Sequence, residues 1–79
     1  MTLSDIAVGA AAEVVAVLGE PGARLRLMEL GLLPGTRVEV VRVAPLGDPL
    51  ELRLRGYSLS IRRQLASTVK VAHVPAAGR

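Results

Sequence analysis

Arg24 to Val43 reads RLRLMELGLLPGTRVEVVRV: apolar residues at helical spacing, one glycine, a Pro-Gly pair, and then a β-branched run. Leu25, Met28 and Leu32 recur with a period near 3.6, and Leu27 and Leu30 widen the stripe while Arg24, Arg26 and Glu29 flank it. The spacing predicts a short helix with one buried face. Pro21 suits its first position, where a missing N–H costs nothing, and Gly31 suits the left-handed residue just past its end. With Gly31 there, Leu32 follows as the residue that packs back on Leu27, closing a Schellman motif. Leu33-Pro34-Gly35-Thr36 then predicts a type II turn, proline setting φ at its second position and Gly35 supplying a positive φ at its third. A strand leaves the turn.

Residues 12–18, AEVVAVL, carry one charge in an apolar run and predict a strand buried on much of both faces, ended by Gly19-Glu20-Pro21-Gly22. Residues 36–44 start with Val38 and Val40 on one face and shift parity to Val41 and Val43, which predicts a bulge. Residues 45–49, PLGDP, form a turn containing Gly47. Beyond it Leu50, Leu52 and Leu54 alternate with Glu51, Arg53 and Arg55, the pattern of a half-buried strand. Gly56 predicts a hairpin turn into a strand with Tyr57, Leu59 and Ile61 inward and Ser58 and Ser60 outward. Residues 62–66 suit a single helical turn, and residues 67–74 a last strand with Val69 and Val71 inward. The first eleven residues hold a short turn at Ser4-Asp5, and the ends of this segment read as loose. The fold class is therefore mainly β: about five strands in a small closed or partly open barrel. One short α-helix lies between strands 1 and 2, and a helical turn precedes the last strand. Residues 1–74 form one domain and residues 75–79 a C-terminal tail.

Seventy-nine residues with Tyr57 as the sole aromatic leave a core of Val, Leu, Ile and Ala. The chain has no cysteine, which excludes disulfides and thiolate metal sites. No apolar run approaches the roughly 18 residues that span a bilayer, and no leader pattern is present, so a cytoplasmic location is expected. The net charge of +3 is interleaved along the chain rather than gathered in a tail. One histidine, His73, cannot form a nucleophile–base–orienter set, and the carboxylates are scattered singly. No catalytic residue, cofactor or metal site is expected, and no glycine stretch matches a phosphate-cradling loop. Arg53, Arg55, Arg62 and Arg63 group into a basic face. It suits a protein partner, whose carboxylates arginine grips bidentately, or nucleic acid, for which Tyr57 alone could stack a base. Leu33 and Leu46 stand outside the apolar patterning, where each either folds over the barrel mouth or meets a partner.

Three stretches at fixed spacing, ELGLLPG at 29–35, APLGDPL at 44–50 and RGYSLSIRR at 55–63, together resemble the FeoA family, small cytoplasmic accessories of bacterial ferrous iron transport. The resemblance runs from Ser4 to Val74. It implies an SH3-like barrel and a non-catalytic role exerted by contact with FeoB, the inner-membrane ferrous iron transporter with a cytosolic GTP-binding domain. A location at the inner membrane through that partner follows. The residues expected to make the contact are Leu33, Pro34, Leu46 and Asp48, with Arg53, Arg55 and Tyr57 as secondary contacts; Gly31, Pro34, Gly35, Gly47 and Gly56 shape the turns that present them. Weak self-association is compatible with the leucine-bearing loop. The alternative is a nucleic-acid-binding barrel, or a regulatory module like the barrel of iron-dependent repressors. The chain lacks the winged-helix and dimerisation segments of such repressors.

Overall fold

The computed structural model describes residues 1–74; the tail assigned to residues 75–79 lies outside the described residues. A 3-10 turn (Leu3–Asp5) leads into β1 (Ala11–Val17) and α1 (Pro21–Glu29), followed by β2 (Arg37–Val43), β3 (Leu50–Leu54), β4 (Tyr57–Ile61), α2 (Arg63–Ala66) and β5 (Val69–His73). The strands form one antiparallel sheet in the order β4-β3-β2-β1-β5. Its two outer strands do not pair with each other, so the barrel is open rather than closed.

Alternation sets the inner face. Leu50, Leu52 and Leu54 of β3 are buried while Arg53 points out, and Val38 and Val40 of β2 and Val69 and Val71 of β5 join them in one aliphatic core. The parity shift in β2 is a register break between Val40 and Arg42. A second break, between Val14 and Ala16 of β1, was not expected. Val15, left unpaired at this break and turned outward by the alternation from Val14, is half-exposed, so β1 is not buried on both faces. In β4 only Ile61 is fully buried, because an edge strand is covered on one side only and Tyr57 lies at its open end.

The helix stripe is narrower than its leucines suggest. Leu27 is buried and Met28 partly so, but Leu25 is 59% exposed and Leu30 37%. Leu25 lies two residues from Leu27, about 200° around a helix of 3.6 residues per turn, so burying Leu27 turns Leu25 to solvent, and Leu30 sits at the C-cap beyond the last helical turn. Pro21 opens the helix, and the Glu20 carboxylate accepts from the N–H groups of Gly22 and Ala23 at 2.9 and 3.2 Å. At the other end, Leu32 N–H donates to Leu27 C=O at 3.1 Å and Gly31 N–H to Met28 C=O at 3.0 Å, the two bonds of a Schellman ending. Gly31 has φ +112°, and a Cβ there would sit 3.3 Å from Leu54 Cδ1 and 3.4 Å from the Tyr57 hydroxyl oxygen. Gly31→Ala is expected to cost about 1–2 kcal/mol, from the positive φ and from that crowding. Chemical denaturation measures it, and wild-type stability in the variant would disprove the cap. The turn at 33–36 follows as read, with Thr36 N–H on Leu33 C=O at 3.0 Å and Gly35 at φ +91°.

The N-terminal segment is not loose. Leu3 and Ile6 belong to the core, Thr2 bridges Lys70, and Val71 N–H donates to Met1 C=O at 3.1 Å. These contacts cover the outer edge of β5. The Asp5 carboxylate accepts the Thr2 N–H at 2.8 Å, and that bond holds its pKa below the ordinary value. Composition alone gave no sign of this, because the anchors are two separated apolar residues in a segment without periodicity.

Candidate functional site

The seven residues expected to meet a partner fall at the two ends of β4 and on the face between. At the first end the β3–β4 hairpin turns through Arg55 and Gly56, with φ +50° and +84°, and Leu54 pairs with Tyr57. That is the geometry of a type I′ turn, which matches the twist of the strands it joins. The hairpin lies against the exit of α1. The Tyr57 hydroxyl donates to Leu30 C=O, one of the carbonyls that a helix end leaves without an internal partner. Leu33, Pro34, Gly35, Thr36, Arg37 and Arg55 line a shallow groove beside this contact. Leu33 in the groove and the bonded pair Leu30 and Tyr57 are each partly exposed. Tyr57→Phe removes the bond and is expected to destabilise the domain by about 0.5–1.5 kcal/mol while leaving the fold intact. Thermal unfolding checks it, and an unchanged midpoint would show that the hydroxyl holds nothing.

At the second end the β2–β3 loop carries Leu46 at 96% exposure, the most exposed large apolar side chain of the described residues. Its loop is pinned from below. Gly47 N–H closes the turn on Ala44 C=O, the Asp48 carboxylate accepts the Arg63 N–H at 2.8 Å, and the Arg63 guanidinium donates to Gly47 C=O at 2.9 Å and Ser4 C=O at 3.0 Å. Asp48 therefore acts first as a tether to the start of α2. Leu46, Asp48, Pro49, Ser60 and Arg62 border one shallow groove, and Pro49 and Ser60 also border a neighbouring one with Arg42, Val43 and Glu51.

Between the ends runs the outer face of the sheet, where Arg53 lies opposite Glu39 on one side and Ser58 on the other. Among the described residues the one ion pair joins Arg42 to Glu51 at 2.6 Å. Arg53, Arg55 and Arg62 are exposed and lack a carboxylate within ion-pair distance among those residues. The basic group read from the sequence therefore splits, because Arg63 turns inward to bind carbonyls and the other three face solvent. His73 is exposed on β5 opposite Ala12. No three His, Cys, Asp or Glu side chains converge among the described residues.

A family model for the FeoA domain matches residues 1–73. The chain belongs to the FeoA family. It is 38% identical over 71 residues to the Fe(2+) transport protein A/Fe(2+) transporter FeoB fusion protein of Porphyromonas gingivalis, a match covering 90% of this chain and 8% of that protein. The chain thus spans a small part of that curated relative. Among solved structures it is similar to the FeoA protein of Chlorobium tepidum, 44% identical with a TM-score of 0.87, over 100% of this chain and 74% of the other. It is also similar to Stenotrophomonas maltophilia FeoA complexed with zinc, described as a procaryotic SH3 domain protein, at 31% identity and a TM-score of 0.79, over 90% and 88% of the two chains. The fold of this FeoA-family chain is accordingly SH3-like, and the family is linked to ferrous iron transport. No helix among the described residues is long and apolar enough to cross a membrane.

Two elements of the surface were not legible in advance: the Tyr57–Leu30 contact, spanning 27 positions, and the Asp48–Arg63 tether, spanning 15. Neither carries a local pattern. The available hint was the presence of one tyrosine in a chain otherwise free of aromatics.

Proposed function

We propose that this chain is a non-catalytic accessory of bacterial ferrous iron uptake that docks on the cytosolic part of a FeoB-type transporter. The observation that carries the reading is the fusion in Porphyromonas gingivalis, where a segment similar to this chain shares one polypeptide with a FeoB transporter. Fusion places two partners at high effective concentration without new contacts, which is useful only if they meet. The surface supports the same reading: exposed leucines at positions held by hydrogen bonds, and arginines without intramolecular carboxylate partners, are the materials of a polar-rimmed protein interface. The chain would then work at the cytoplasmic face of the inner membrane through its partner.

Calorimetric titration of the chain into full-length transporter in detergent, with and without GTP and ferrous ion, tests this. Saturable binding in at least one nucleotide or metal state is expected. No binding in any combination would overturn it.

A further inference from the structure

The sheet guards one edge and leaves the other open. The outer edge of β5 is covered by Met1 and Thr2, whereas no described residue pairs with the outer edge of β4. Exposed edges invite pairing with another chain, and small proteins usually blunt them with charge, proline or a bulge. Within β4, TyrSerLeuSerIle carries none of these, and its register with β3 is unbroken. Because Leu54 and Tyr57 flank a two-residue turn, they are a hydrogen-bonded pair. Alternation then directs the N–H and C=O groups of Tyr57, Leu59 and Ile61 toward β3, and those of Ser58 and Ser60 away from the sheet.

We propose that the β4 edge accepts an extended, acidic segment of the partner as a sixth strand, bonded through the backbone of Ser58 and Ser60. The mode is strand addition, in which main-chain bonds supply affinity and neighbouring side chains supply specificity. Charge selects the occupant. Arg53 lies behind Ser58, whose short side chain puts no bulk between the guanidinium and an added strand, and Arg55 and Arg62 flank the two ends of β4. Glu51, behind Ser60, is already taken by Arg42. A second copy of this chain fits poorly: antiparallel pairing centred on Leu59 would set Gly56 of one molecule opposite Arg62 of the other, with Arg55 one position away, and β4 has no carboxylate to offset the two guanidinium groups. Nucleic acid has no use for alternating N–H and C=O groups, and the hydroxyl of the single tyrosine is engaged with Leu30. The edge also joins the two clusters described above, so one strand laid along it would run from the Leu33 groove to Leu46.

This inference rests on the docking reading and specifies its mode. Ser58→Pro and Ser60→Pro each delete one outward N–H, a change that an edge strand tolerates because no ladder bond is lost. With circular dichroism unchanged, each is expected to weaken binding to the full-length transporter at least tenfold. Arg53→Glu is expected to weaken it and to flatten its salt dependence. In the wild-type complex the Ser58 and Ser60 amides are expected to exchange with solvent more slowly than in the free chain, a readout that stands even where a proline variant fails to fold. Folded variants with wild-type affinity, or Ser58 and Ser60 amides that exchange equally fast in the complex, would overturn strand addition and leave docking intact. Competition of the complex by RNA, or its replacement by a dimer of this chain, would overturn the acidic-segment assignment. A wild-type chain that does not bind the transporter overturns the docking reading and this one with it.

Discussion

Replacing Leu27 by alanine is expected to lower stability by about 2–5 kcal/mol, whereas Leu25→Ala is expected to change it by less than about 0.5 kcal/mol. Both leucines belong to the apolar stripe of one short helix, yet only Leu27 is buried, at 1% exposure, in the core where α1 meets β1. Removing it leaves a cavity in the one apolar anchor the helix fully buries. It also strips the Schellman ending of its apolar contact, since Leu32 is the other half of that pair. A domain of this size holds only about 5 kcal/mol in total, so the loss is expected to shift the thermal midpoint by more than about 10 °C. Denaturant titration of both variants checks the pair, and equal losses at the two positions would show that the helix is seated on a different face.

Arg63→Met is expected to cost about 1.5–3 kcal/mol, while Arg62→Met leaves stability within about 0.5 kcal/mol. Methionine keeps much of the apolar stem but removes the guanidinium that donates to Gly47 C=O and Ser4 C=O, so two carbonyls in a partly buried position lose a charged donor. Because that guanidinium bonds both Gly47 of the Leu46 loop and Ser4 of the N-terminal segment, its loss is also expected to speed amide exchange in residues 44–48 and 2–6. Arg62 makes no comparable bond among the described residues and points to solvent. Thermal unfolding and amide exchange separate the two arginines. Identical behaviour would mean that Arg63 is an ordinary surface residue.

Leu25 and Arg63 also mark what a sequence can and cannot disclose here. Backbone sterics act locally, so Gly31, the turn at 33–36 and the strict alternation at 50–54 were readable from neighbours alone, and each is present as expected. Leu25 and Leu27 lie on nearly opposite faces of the helix, and which of the two faces seats on the sheet is settled by tertiary packing that no local pattern contains; hence Leu25 emerges exposed, and Leu30, at the C-cap, with it. The same holds for closure. Five strands suggested a barrel, but whether its edges meet is decided by twist and by the N-terminal segment, which occupies the β5 edge instead of leaving it to β4. Tethers such as Arg63 to Ser4 join residues that only the finished fold brings together. The charges of Arg53 and Arg55 were legible, but whether Leu33 and Leu46 fold inward or face solvent was open, and only the fold shows both exposed and grouped with those arginines along one open strand.

The most direct test of the account is a nuclear magnetic resonance footprint of the isotope-labelled chain on the full-length transporter in nanodiscs. Amide signals of residues 30–35, 44–48 and 53–62 are expected to shift or broaden together, while those of β5 and the 3-10 turn stay in place. Perturbation confined to β5 and the N-terminal segment, or no perturbation at saturating transporter, would contradict it.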